Sequence, residues 1–152
     1  MLSTVRESQG AIDSNARHLK SNEVLAFLRP GLIEQRFEVE AGTDRYRLPV
    51  LFGDDGKVSK SFNVDAFRPH DGIAVEIEAG GAFENNRVLY DLVKMVLGVT
   101  VTFGVLVVPQ KYETVNRKFR DQYDESLKLF DAIWANPERF KLPLEGLLLV
   151  GY

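Results

Sequence analysis

The run Phe103-Gly104-Val105-Leu106-Val107-Val108 is almost unbroken in its apolarity, as expected of a strand buried on both faces. A strand of that kind needs layers above and below it, which helices supply. Just upstream, Val88, Leu89, Leu92, Val93 and Val96 share one face of a predicted helix, Arg87, Asp91 and Lys94 share another, and Gly98 follows as a stop signal. A strand-like run from Ile73 to Ala79 precedes that helix. Strand, helix and buried strand together are the signature of a right-handed parallel crossover, so the 73–79 run belongs in the middle of a sheet and not at its edge.

The remaining chain fits around that unit. Residues 1–20 are polar and without periodicity, and read as a flexible N-terminal arm; 21–152 read as a single α/β domain. Ser21 caps a predicted helix through Val24, Leu25 and Leu28, which Arg29-Pro30-Gly31 kinks or restarts before Leu32 and Ile33. From Arg36 the period is two: Phe37 and Val39, Tyr46 to Phe52, Val58 to Phe67, and Ile73 to Ala79 alternate between turn-rich segments, predicting an antiparallel meander over 36–79. Phe119, Tyr123, Leu127, Phe130 and Trp134 lie at helical spacing, and Leu147 to Tyr152 makes a last strand. The order α, meander, α, β, α, β predicts a mixed sheet flanked by helices.

Composition narrows the class. With 152 residues, 45% of them hydrophobic and 27% charged, the chain suits one compact domain. It has no cysteine, which removes disulfides, thiolate metal sites and a thiol nucleophile. No apolar run approaches the roughly 20 residues of a membrane helix, and the opening MLSTVRESQG lacks a signal-peptide pattern, so the expected setting is cytoplasmic. The formal charge of -3, from 19 basic and 22 acidic residues, provides no global basic field.

The chemistry concentrates between Ser61 and Gly80. If Pro69-His70-Asp71-Gly72 is a four-residue hairpin loop, Arg68 pairs with Ile73 and Asp65 lies opposite Glu76. Opposite residues share a face, and Glu78 shares it too, while Val64, Val75 and Ile77 point to the other. Like charges about 5 Å apart repel by several kcal/mol on a part-buried sheet, so three carboxylates converging on a central strand call for compensation. A hard divalent ion such as Mg2+, or Mn2+, is the economical answer; one group that stays protonated and a solvated meander face are the alternatives.

The element order from about residue 21 to 109, with Val64-Asp65, a turn and Val75-Glu76-Ile77-Glu78, resembles the PD-(D/E)XK nuclease superfamily, the restriction-endonuclease-like fold with an αβββαβ core. The resemblance implies a metal-dependent endonuclease hydrolysing DNA. In it, Asp65 and Glu76 ligate Mg2+ and activate water for in-line attack on a phosphodiester. Glu78 stands where the family usually has lysine, as in a small branch of type II restriction enzymes, where it would act as general base or water-orienter. The departure also keeps open a degenerate member that binds nucleic acid or protein without cutting. A chain this short has little material for target recognition, so the resemblance implies a homodimer or a partner.

Auxiliary residues are fewer. Lys94 can supply a relocated ammonium, but Arg87, Asp91 and Lys94 at i, i+4 and i+7 read first as a surface salt-bridge stripe. Glu23, ahead of Glu34, is the acidic residue of the first helix that would face the metals by the same resemblance. Lys111 falls near the expected cleft mouth, and with Arg117, Lys118 and Arg120 it makes the densest basic cluster, a candidate for phosphate contact. Asp71 and His70 read as turn residues, and Asn85 or Asn86 as a helix cap.

Overall fold

The computed structural model describes residues 1–13, 18–79, 86–113 and 119–152. Its order is α1 (Leu2–Ile12), α2 (Ser21–Glu34), β1 (Glu38–Val39), β2 (Tyr46–Phe52), β3 (Val58–Val64), β4 (Ala66–Arg68), β5 (Ile73–Ile77), α3 (Arg87–Leu97), β6 (Phe103–Val108), β7 (Lys111–Glu113), β8 (Phe119–Asp121), α4 (Gln122–Trp134) and β9 (Gly146–Gly151). Five strands form the main sheet in the order β1-β4-β5-β6-β9. The β1-β4-β5 pairings are antiparallel and β5-β6-β9 parallel, so this is the mixed α/β architecture expected, with β5 at the centre.

Alternation along β5 and β6 sorts the core into two layers. Val75, Ile77, Val105 and Val107 face α1 and α2, packing on Val5, Ile12, Val24, Leu28 and Leu32. Ala74, Leu106 and Val108 face α3 and α4, packing on Val88, Leu92, Met95, Phe130 and Ile133. Both faces of β6 are therefore covered, as its apolar run requires.

Several sequence expectations change. Residues 2–12 are not an arm but a helix whose Val5 and Ile12 lie in the core. Their polar composition hid a narrow apolar stripe. Pro30 sits inside a continuous α2, and Ser21 opens that helix instead of capping it, because Lys20 holds the cap position. Beside Pro30, a Cβ on Gly31 would come within 2.5 Å of Thr4 Cγ2, so this glycine lets α1 and α2 approach closely.

The single meander is not formed either. β1 pairs with β4, while β2 and β3 form their own two-stranded ribbon off the main sheet. The chain bends at Asp65 between β3 and β4, so Val64 packs with Phe67 and Ala74 in the layer facing α3, opposite to the face expected. Downstream, Phe119 belongs to β8, exposed, and α4 begins three residues later at Gln122, with Asp121 Oδ1 accepting a hydrogen bond from Asp124 N at 2.9 Å.

Candidate active site

Strand β5 places Ala74 and Glu76 toward α3, and its extension carries Glu78 to the same side, where Glu78 N donates to Val107 O at 2.8 Å. Arg68 pairs with Ile73 and Ala66 with Val75, so the hairpin register is the one read from the turn. Gly72, at φ 65°, closes that turn where a side chain would be strained. Asp65 ends the ladder: its Oδ2 accepts the Ile77 N–H at 2.7 Å, and its carbonyl accepts from Glu40 N at 2.8 Å. The side chain thus takes over a backbone acceptor's place, which holds it beside Glu76.

Helix α3 supplies the facing wall. Lys94 Nζ lies 2.5 Å from Glu76 Oε1 and 2.8 Å from Asp91 Oδ1, and Arg87 Nη1 is 3.3 Å from Glu78 Oε2. Lys94 and Glu76 are only 9% and 6% exposed. Asp91 and Lys94 are therefore not part of a solvated stripe but of the surface that α3 turns to the sheet, while Arg87 stays half exposed at its border. The helix packs its apolar residues on the sheet alongside, and the strand opposite offers carboxylates where this stripe meets it.

Two buried acids escaped the sequence reading. Asp91 sits among Val88, Leu92 and Met95 at i, i+3, i+4 and i+7, so a carboxylate within an apolar stripe was the available signal. Glu40 reaches the site from the turn after β1, where it pairs with Arg45 at 3.3 Å, and no local pattern marks it.

Glu40, Asp65, Glu76, Lys94, Asn63 and Tyr90 line an open cavity of about 350 Å³. Glu78 is not among its lining residues; it faces Arg87 and Asp91 beside it. Among the described residues no three acidic or histidine side chains gather in metal-holding geometry, so the expected convergence of Asp65, Glu76 and Glu78 resolves into two adjoining groups.

The electrostatics follow from burial. Burial raises the Asp65 carboxyl to about 6, assisted by Glu40 and opposed by the Ile77 hydrogen bond. Glu76 stands well above the usual carboxylate range, through burial and then the Asp91 and Asp65 charges, with Lys94 opposing. Burial, then Asp91, lifts Glu78 to about 7 against Arg87. Burial opposes the charge on Lys94, yet Glu76 and Asp91 outweigh it and hold the ammonium protonated.

Among the described residues five carboxyl groups (Glu40, Asp65, Glu76, Glu78, Asp91) face three cations (Arg45, Arg87, Lys94) here. Among the described residues Glu76 Oε1, though in ion contact with Lys94, and Asp91 Oδ2 have no hydrogen-bond partner. Hard oxygen donors beside an open cavity would suit a divalent cation held by Asp65 and Glu76, which would keep most of its water.

The other candidates lie elsewhere. Glu23 Oε2 accepts from Lys20 N at 2.7 Å and so closes the start of α2, and Glu34 is exposed at its end. Lys111 and Arg120 are exposed on the β7-β8 ribbon, which the sequence did not predict. Arg117, Lys118 and Asn85 lie outside the described residues. Asp71 is turn chemistry as read, accepting from Arg68 Nε and Nη2 at 2.8 and 2.7 Å, and His70 is exposed. Asn86 occupies the cap position of α3 with a left-handed φ of 52° but makes no side-chain cap bond.

A mixed sheet flanked by helices, whose central strand brings Glu76 to Asp65 and to Lys94 of α3, is a restriction-endonuclease-like core. The chain belongs to the family described as "Putative halobacteria restriction endonuclease", whose model matches residues 16–152. No curated protein and no solved structure matches it.

Proposed function

We propose that the protein is an endonuclease that hydrolyses DNA phosphodiester bonds with Mg2+ or Mn2+ held by Asp65 and Glu76. The observation that carries this reading is the meeting of Asp65, Glu76 and Lys94 in one open cavity on the central strand, with Lys94 Nζ 2.5 Å from Glu76. Lys94 supplies from α3 the ammonium that position 78 lacks. When bound, the metal lowers the pKa of a coordinated water and stabilises charge on the leaving oxygen.

The chain's own residues have distinct parts. Asp65, a residue of the cavity wall, is oriented by the Ile77 N–H that its Oδ2 accepts. Glu76, pinned in the sheet, offers a carboxylate that either carries a proton or is charged beside a cation. Lys94 keeps its proton at neutral pH and presents positive charge where a phosphoryl group gains negative charge in the transition state. Glu78, bound to Arg87 and beside Asp91, is a positioning residue that fixes α3 against β5, in place of the general-base role implied by resemblance.

The test is plasmid nicking with Mg2+ or Mn2+ against a chelator control. Asp65→Asn, Glu76→Gln and Lys94→Met should each lower the rate by at least about 100-fold while the proteins remain folded, and Glu78→Gln should retain more activity than any of them. Equal activity in the Asp65 and Glu76 variants would remove the assignment. DNA binding without nicking in either metal would identify a degenerate binding module instead.

A further inference from the structure

The β2-β3 ribbon has no place in the main sheet, and its design points outward. Its base is anchored: Leu48 and Val64 are buried in the layer under α3, and Tyr46 stacks on Phe67 with ring centroids 4.8 Å apart. From Leu51 to Lys60 every residue is exposed. Cross-strand register pairs Arg47 with Asn63 and Pro49 with Ser61, so those four side chains share the face opposite to Leu48.

That face joins the catalytic cavity to a second one. A cavity of about 330 Å³ is lined by Thr43, Asp44, Arg45, Arg47 and Asn63, and it shares Arg45 and Asn63 with the cavity of Asp65 and Glu76. Arg45 and Arg47 outweigh the single carboxylate, Asp44. Arg45 already holds Glu40 and is 48% exposed at the boundary between the two cavities. Arg47 is exposed and has no ion pair among the described residues. An exposed guanidinium with an amide and a hydroxyl beside it is a donor set for a phosphate oxygen anion.

We propose that Arg47, with Arg45, Asn63 and Thr43, seats a phosphate of the DNA backbone next to the one cut at Asp65 and Glu76, and that the β2-β3 ribbon carries the duplex across the site. A two-stranded ribbon of this kind fits the major groove. The inference takes its substrate class from the nuclease reading. It also supplies what bulk charge does not, since a chain of net charge -3 can hold DNA only through local placement of its basic residues.

The test uses the full chain and a labelled duplex in Ca2+, read by fluorescence anisotropy across a salt series, alongside nicking kinetics in Mg2+. Arg47→Ala should weaken binding several-fold and flatten the log affinity against log salt slope by about 0.9, the value for one phosphate contact. It should raise KM with kcat little changed. Arg47→Lys should restore most of the slope, because the positive charge remains. An unchanged slope and KM in a folded Arg47→Ala protein that still nicks DNA would overturn the ribbon proposal alone. Wild-type protein that never nicks, yet shows the Arg47-dependent slope, would overturn the nuclease reading and leave the phosphate seat standing. Binding restricted to RNA would overturn the seat as assigned.

Discussion

Replacing Lys94 by methionine removes an ammonium and keeps most of the volume, so it isolates the charge. In the wild type that ammonium lies within 2.8 Å of carboxylate oxygens from both Glu76 and Asp91, and all three residues are buried. Removing one partner from a buried ion pair typically costs about 3–5 kcal/mol, because the charge left behind is neither hydrated nor compensated. Glu76 can escape part of that cost by taking a proton, since its carboxyl already stands well above the usual range. The expected loss is therefore about 3 kcal/mol at pH 8 and roughly half that at pH 5. For a chain of this size, the larger loss corresponds to roughly 6–12 °C in Tm. Urea unfolding followed by circular dichroism at the two pH values measures it. A solvated i, i+3 pair on a helix surface would be worth only about 0.3–0.5 kcal/mol. A loss that small, equal at both pH values, would refute the buried-cluster argument.

Other outcomes follow from the same geometry. Asp65 and Glu78 titrate near 6 and 7 when folded, against ordinary values of 3.8 and 4.5, so the folded state binds more protons over that interval. Their contribution to stability in chelator should be full below about pH 4 and lost as the pH rises through 6 to 7; Mg2+ should flatten that decline, and calorimetry should detect protons released on metal binding. Gly72→Ala should destabilise by at least about 2 kcal/mol in urea melts, because the φ of 65° is strained for alanine and its Cβ would meet Thr100 O at 2.5 Å. Glu23→Ala should cost about 0.5–1 kcal/mol of stability through the lost cap and leave nicking unchanged; a large fall in nicking would return Glu23 to the active site.

Legibility in the sequence tracked how local each decision was. The β4-β5 register was readable because Pro69-His70-Asp71-Gly72 sets it within four residues, and β6 was readable because an apolar run admits only a doubly covered strand. The pairing of β1 with β4 was not, since β2 alternates as well as either and nothing local states which strand it joins. Asp65 itself decides this by bending the chain and spending its carboxylate on Ile77 N, so that β3 leaves the main sheet.

The sequence by itself determined a mixed α/β chain with acids on its central strand, because periodicity and turn chemistry act within a few residues. Tertiary structure alone decided that Lys94 completes this cluster and that Glu40 and Asp91 belong to it. The spacing of Arg87, Asp91 and Lys94 is the same whether water or carboxylates lie opposite, and only the packing of α3 on β5 chooses between them.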